Sequence, residues 1–218
     1  MLELLLPQRC AICARPGEPL CGRCRARLVR IAPPVCERCG APGAWPVRRC
    51  AECAGRRLAF ARARAAIVYD EPARALVGTW KERGRRDLAA HAAELVTAVV
   101  ARPDVEALTF VPSDFERGLS RGHAPAERLA RELASRWELS WLRLLGRTRT
   151  VPPQRGLGLA ERRRNVVGAF AARGEVPRRI CLVDDVYTSG STASACASAL
   201  RREGARHVEV VCLARAVR

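Results

Sequence analysis

The segment Ile180-Cys181-Leu182-Val183-Asp184-Asp185-Val186-Tyr187-Thr188-Ser189-Gly190-Ser191-Thr192 carries the densest chemistry in the chain. Its first four residues are apolar with no polar alternation, which predicts a strand buried on both faces, the habit of parallel sheets in α/β proteins. Two carboxylates follow at the expected end of that strand. Four hydroxyl residues then surround Gly190, and beyond them Ala193, Cys196, Ala197 and Leu200 fall at i, i+3, i+4 and i+7. That spacing predicts a helix with one apolar side, stopped by Gly204.

Each part has a physical use. A loop feeding a helix N-terminus offers unpaired backbone N–H groups and the positive end of the macrodipole, which suit a phosphate, and Gly190 allows close backbone approach. Thr188, Ser189, Ser191 and Thr192 add hydroxyl donors. The carboxylates repel the same phosphate, so they suit sugar hydroxyls or a divalent cation with oxygen ligands. Phosphate beside ribose implies a phosphoribosyl ligand. The loop lacks the Lys and the spacing of a Walker A site. An Asp-rich turn capped by Ser and Thr is the simpler alternative.

Outward from this segment, strands are expected at Ala65 to Tyr69, Ala107 to Val111, Trp141 to Leu145 and His207 to Leu213. Helices are expected at Glu71 to Lys81, with Pro72 in the first turn, from Asp87 through Val99, and at Pro125 to Trp137. Alternating strands and helices predict an α/β fold with a doubly wound parallel sheet, spanning residues 58–218. Ligands of such sheets sit outside the carboxyl ends of the strands. The segment after Val111 therefore also faces the site, and its Arg117 and Arg121 are candidates for a pyrophosphate group. The connection from Arg147 to Phe170 is long and basic, with Arg149, Arg155, Arg162, Arg163 and Arg164, and has the length of a lid or binding loop. A basic segment of this kind also suits a nucleic-acid backbone.

Residues 1–57 form a separate module. Four Cys-x-x-Cys pairs, Cys10/Cys13, Cys21/Cys24, Cys36/Cys39 and Cys50/Cys53, supply two tetrahedral four-thiolate sets and predict two structural zinc ions. Sequential pairing puts the first four on one zinc and the last four on the other; interleaved pairing is the alternative. With few aromatic residues, the module has too little core to fold without metal. The chain carries a formal charge of +17, and Lys81 is the only lysine among its 39 basic residues. Within the module, eleven Arg oppose four Glu, but eight thiolates outweigh two Zn²⁺ by four charges, leaving about +3. Arg23, Arg25, Arg27 and Arg30 form its most concentrated basic run.

The opening MLELLLPQRC has a short apolar run without a basic flank, too brief for a signal peptide or a membrane span, so a cytoplasmic protein without membrane insertion is expected. His91, His123 and His207 show no catalytic spacing. Cys181, Cys196 and Cys212 fall on core-facing positions and are expected to act as small apolar fillers.

The segment VDDVYTSGST resembles the phosphoribosyl-pyrophosphate (PRPP) motif of type I phosphoribosyltransferases. The resemblance implies that Asp184 and Asp185 bind the ribose hydroxyls and Mg²⁺, as the candidate catalytic pair. Thr188, Ser189, Gly190, Ser191 and Thr192 would then cradle the 5′-phosphate, with Val186 and Tyr187 in the same PRPP-binding segment. Over nearly its whole length the chain resembles the ComF family, which joins a double zinc ribbon to a phosphoribosyltransferase-like domain. Further matching segments are Ala73-Arg74-Ala75-Leu76-Val77, Lys81-Glu82-Arg83-Gly84-Arg85-Arg86-Asp87-Leu88, Arg121-Gly122 and Asn165-Val166-Val167-Gly168-Ala169-Phe170. It departs at Val111-Pro112-Ser113-Asp114, where the family usually has Val-Pro-Val-Pro, and at Arg121-Gly122-His123-Ala124-Pro125, where it usually has Arg-Gly-Phe-Asn-Gln.

The resemblance implies PRPP with Mg²⁺ as ligand, a role in natural competence, and single-stranded DNA, a competence helicase or other competence proteins as partners. Two functions follow. One is an enzyme that transfers a phosphoribosyl group to an acceptor. The other is a non-catalytic single-stranded-DNA-binding protein whose PRPP site is regulatory or vestigial.

Overall fold

The computed structural model describes residues 8–113, 124–148, 166 and 168–217. Five parallel strands form the central sheet: β1 (Arg62–Val68), β2 (Ala107–Phe110), β3 (Ser140–Trp141), β6 (Arg179–Tyr187) and β7 (His207–Arg215), in the order β1-β7-β6-β2-β3. A separate antiparallel ribbon pairs β4 (Leu145–Arg147) with β5 (Phe170–Ala172). The helices are α1 (Gly22–Ala26), α2 (Glu71–Glu82), α3 (Leu88–Thr97), α4 (Pro125–Trp137) and α5 (Ser191–Arg202).

The expected doubly wound parallel sheet is present, with helices on both faces. Trp80, Leu88, Leu95, Leu129 and Leu133 of α2, α3 and α4 share one core with Cys181, Val183, Val211 and Leu213. Ala193, Cys196, Ala197 and Leu200 of α5 share the other with Ile180, Leu182, Val210 and Cys212. Alternate residues of β6 and β7 thus point into opposite cores, which is why Ile180–Val183 and Val210–Ala214 are apolar without a break. Cys181, Cys196 and Cys212 are buried fillers, as expected. Asp70 starts α2 by accepting a hydrogen bond from the Ala73 N–H, with Pro72 in the first turn.

Two strands differ from expectation. The apolar run Trp141 to Leu145 is divided between layers. The Leu142 N–H still donates to Leu108 O, but Leu144 and Leu145 then bury in the α5-side core, where β4 finds an antiparallel partner. Apolarity marked burial there without saying which layer would receive it. The second difference is that β6 continues past Val183 to Tyr187, because β7 runs alongside it: Asp184 pairs with Cys212, Val186 with Ala214 and Tyr187 with Arg215. On its other side β2 ends where Phe110 pairs with Val183. From Asp184 onward, then, β6 has a sheet neighbour on one side only, and the step opens toward β2.

The cysteine module straddles the β1 edge. Ile31 N donates to Ala66 O and Val68 N to Val29 O, so the chain between the two halves covers an edge that would otherwise expose unpaired backbone groups. The two halves fold onto opposite faces. Cys10, Leu20, Cys24 and Leu28 join the α2/α3/α4 core, whereas Ile31, Cys36, Cys39, Cys53, Leu58 and Phe60 join the α5 core. No helix among the described residues is long and apolar enough to cross a membrane.

Candidate functional site

Asp184 and Asp185 sit at the step in the sheet, on successive residues and therefore on opposite faces of β6. Asp185 is buried and pairs with the Lys81 ammonium, which α2 brings up from one face. Asp184 lies on the α5 face, where its Oδ1 accepts the Asp185 N–H at 2.9 Å. Burial, and next the charge of Asp185, push the Asp184 carboxyl up to about 8, while Lys81 pulls in the other direction. Burial by itself would lower the Lys81 pKa, but Asp185 and then Asp184 raise it above lysine's ordinary value. The pair therefore holds less than two full negative charges near neutral pH, with one fixed cation against it.

Val186 and Tyr187 complete β6, and Thr188 and Ser189 turn the chain into α5. Gly190 adopts φ +70°, in the left-handed region. A Cβ there would lie 2.2 Å from the Tyr187 hydroxyl, so both the backbone conformation and the space require glycine. Ser189 and Ser191 are buried and their hydroxyls meet at 2.9 Å, with the Ser191 N–H donating to Ser189 Oγ at 3.3 Å. No side chain caps α5, and Thr192 lies in its first turn. A loop with buried hydroxyls leading into an uncapped helix N-terminus can hold a phosphate.

Arg117 and Arg121 lie outside the described residues, as do His123 and Arg149, Arg155, Arg162, Arg163 and Arg164. Arg147 is described: it donates to Pro112 O at 3.1 Å, with its guanidinium 5.0 Å from the Phe170 ring centre. His207 and His91 each face a glutamate, Glu209 and Glu94 respectively.

Three residues enter the site that the sequence reading passed over. Lys81 neutralises Asp185, and its singularity in an arginine-rich chain was the available signal. Arg56 donates to Ser189 O at 2.7 Å from just beyond the last cysteine pair. Arg215, at the end of β7, stacks 4.6 Å from the Tyr187 ring centre. Nothing in the sequence spacing linked the last two to residues 187–190.

The cysteines form two groups, Cys10, Cys13, Cys21, Cys24 and Cys36, Cys39, Cys50, Cys53, with each group's sulfurs within 4.8 Å of one another. Pairing is therefore sequential. Measured separations of 3.4–3.9 Å between sulfurs approach the tetrahedral edge of about 3.8 Å that follows from a Zn–S bond of about 2.3 Å. Four thiolates fit zinc and leave no open position, so both sites are structural.

Residues 1–55 match the double zinc ribbon domain family. Over 227 residues the chain is 31% identical to DNA utilization protein YhgH of Salmonella typhimurium, covering 97% of this chain and 99% of that protein. It is 30% identical over 210 residues to Competence protein F of Haemophilus influenzae, covering 90% of each. Among solved structures, the glutamine PRPP amidotransferase of B. subtilis complexed with ADP and GMP aligns with a TM-score of 0.39 at 20% identity, over 59% of this chain and 26% of that one. That overlap is too slight to argue from. Similarity over nearly the whole chain to proteins of both names, together with the two four-cysteine sites, places the chain in the ComF family.

Proposed function

We propose that the chain binds PRPP with Mg²⁺ at the carboxyl end of β6 and acts as a cytoplasmic phosphoribosyltransferase-like protein in natural competence. One observation carries this reading: the Asp184–Asp185 pair stands at the open step of the sheet and runs directly into the Gly190 turn and the uncapped start of α5. The carboxylates accept hydrogen bonds from the ribose hydroxyls, and the loop from Thr188 to Thr192 receives the 5′-phosphate. Lys81 holds Asp185 in place and offsets its charge until ligand arrives. Mg²⁺, when bound with the ligand near Asp184 and Asp185, would supply charge neutralisation for the pyrophosphate.

In transfer, the bond from the anomeric carbon to pyrophosphate breaks, positive charge develops on the ribose, and an acceptor forms the new bond while losing its proton to water. The hydroxyl-bound carboxylates oppose that positive charge. Calorimetry with PRPP and Mg²⁺ tests binding, with ribose 5-phosphate as a control for the loop and a panel of bases for pyrophosphate release. Asp184→Asn with Asp185→Asn is expected to weaken PRPP at least about tenfold. Absence of heat and of thermal protection by PRPP overturns the reading.

A second observation favours single-stranded DNA as a partner. Arg38, Arg48, Arg49 and Arg64 line an open groove of about 750 Å³ between the second ribbon and β1, together with Glu37 and with Arg62, which pairs with Glu209 at 2.8 Å. Arg25 of the expected basic run instead pairs with Glu94 at 2.9 Å. Contacts to phosphates by such a groove give binding that falls steeply with salt and varies little with sequence. Arg48→Ala with Arg49→Ala is expected to reduce the salt slope by about 2; an unchanged slope removes the groove as the DNA contact.

A further inference from the structure

The second zinc ribbon and the segment just after it are tied at three points to the candidate phosphate loop and the start of α5, and one of these ties begins at a zinc ligand. Arg215 is 1% exposed, a burial that costs a guanidinium heavily unless its charge is paired; its two terminal nitrogens are partnered, while its Nε has no hydrogen-bond partner among the described residues. Its partners all belong to the second site: Nη1 donates to Cys39 O at 2.8 Å, and Nη2 to Cys39 Sγ at 3.4 Å and to Glu52 Oε2 at 2.7 Å. Glu52 supplies one counter-charge, and a zinc ion with four thiolates, formally −2, adds a second negative centre beside the same guanidinium.

The other side of the same guanidinium lies 4.6 Å from the centre of the Tyr187 ring. Phe60, also of the second core, meets that ring edge-on at 6.2 Å. The Tyr187 hydroxyl in turn occupies the space where a side chain on Gly190 would go. Zinc ligand, arginine, tyrosine and loop glycine are therefore stacked in direct contact. A second tie starts three residues after Cys53: Arg56 donates to Glu52 O at 3.3 Å and to Ser189 O at 2.7 Å. The third is the Ala59 N–H, which donates to Ser194 Oγ in the first turn of α5. Among the described residues the first ribbon has no such route. Its contacts go to α2, α3 and the segment between them, as when Thr79 donates to Ala11 O, Arg85 to Arg9 O and Arg25 to Glu94.

We propose that the second zinc centre is a positioning element of the phosphate loop: Arg215 and Arg56 pass its geometry to Tyr187, Ser189 and Gly190, so that losing this zinc loosens the cradle. Arg215 and Arg56 act through the loop and need not touch the ligand. The first zinc supports the opposite face and leaves the loop unaffected. Identification of the loop's ligand rests on the PRPP reading above, but the coupling itself is measurable without PRPP.

The test follows hydrogen exchange across residues 187–194 in zinc-loaded protein, alongside zinc content and PRPP calorimetry. Arg215→Met keeps the four cysteines and the approximate bulk while removing charge and donors. It is expected to retain two zinc ions, speed loop exchange about tenfold and weaken PRPP about tenfold, the effect of losing one or two charged hydrogen bonds. Arg56→Gln, a half-buried position that spares the core, is expected to act in the same direction on the peptide covering Ser189 if Arg215→Met does not fold. Arg85→Gln, which removes a contact from the α2–α3 segment to the first ribbon, is expected to leave residues 187–194 at wild-type exchange. Wild-type exchange in Arg56→Gln, or equal loosening by Arg85→Gln, overturns the proposal. Loosened exchange in a protein whose wild type ignores PRPP upholds the coupling and removes the PRPP reading instead.

Discussion

The two zinc sites have the same ligands and the same tetrahedral chemistry, yet they are built into different parts of the molecule. Cys13 of the first is exposed and Cys21 half-buried, and its ribbon leans on helices through hydrogen bonds at the surface. Three of four cysteines in the second are buried, and its ribbon grips a buried arginine and the phosphate loop. Both sites put cysteines into a core, but the first leaves two of its four open to solvent, whereas the second buries three. Identical ligand sets say nothing about what a structural metal supports; the side chains behind the sulfurs do.

That contrast is tested most severely by removing one ligand at a time. Cys39→Ser breaks the second tetrahedron and leaves Arg215 buried without its thiolate, and removing one partner of a buried charge pair costs about 3–5 kcal/mol. For a chain of this size that corresponds to a fall of roughly 10 °C in melting temperature. Cys13→Ser, at a site water already reaches, is expected to lose its zinc with a clearly smaller fall. Differential scanning calorimetry with zinc determination measures both, and equal losses would erase the distinction.

At Gly190 and Gly78 the two faces respond oppositely to the same added methyl. Gly190→Ala places a side chain at φ +70° and against the Tyr187 hydroxyl, which costs about 1–2 kcal/mol for the backbone alone, and PRPP affinity is expected to fall at least about tenfold. Gly78, inside α2, has open space around its Cβ position, so Gly78→Ala is expected to stabilise by about 0.5–1 kcal/mol. Chemical denaturation of the two variants gives opposite signs unless the loop is free to reshape.

Titration separates the regions again. Asp184, near 3.9 when unfolded and raised to about 8 when folded, keeps its proton longer in the native state. Unfolding free energy therefore falls as pH rises from about 4 to about 8, and Asp184→Asn is expected to flatten that limb. Glu94 is the reverse case: the hydrogen bond from Arg25 holds its carboxyl below the usual range, with His91 and Arg136 adding to the effect. Its contribution is present above the ordinary glutamate pKa and is lost as pH falls through the lowered one, and it is small because the pair is about one-third exposed. Melting temperature measured from pH 3 to pH 9 resolves both limbs; a Glu94→Gln variant that changes the alkaline limb would contradict the assignment.

How far the sequence predicted this arrangement depended on the range of the signal. Unbroken apolar runs at 180–183 and 210–213 identified central parallel strands because burial on both faces leaves no polar alternation to read. The cysteine spacing defined two zinc sites, and the structure selected sequential pairing. The division of Trp141 to Leu145 between two layers escaped, since hydrophobicity reports burial and not the partner. So did Arg56 and Arg215, which reach the loop across 133 residues of chain and from a neighbouring strand. In a chain with so many arginines, the two that organise a site look like all the others. Lys81 was the exception that composition alone could have flagged.

The smallest expected effect belongs to the join between the first ribbon and α2. Thr79 Oγ1 donates to Ala11 O at 2.8 Å, and Thr79 is half-buried beside Ala11 and Ile12. Thr79→Val keeps the branched shape and removes the donor, leaving the Ala11 carbonyl to find water in a groove that already admits it. A hydrogen bond replaced in this way is worth about 1 kcal/mol, or roughly 2–4 °C in a domain of this size. The change lies two residues from Lys81, so it also asks whether the first ribbon reaches the acid pair through α2. If the faces are as separate as their contacts indicate, Thr79→Val lowers stability by that amount while zinc content, exchange across residues 187–194 and PRPP affinity stay at wild-type values. A loss of PRPP affinity in this variant would mean that the peripheral zinc also positions the site, through the α2 helix that carries Lys81.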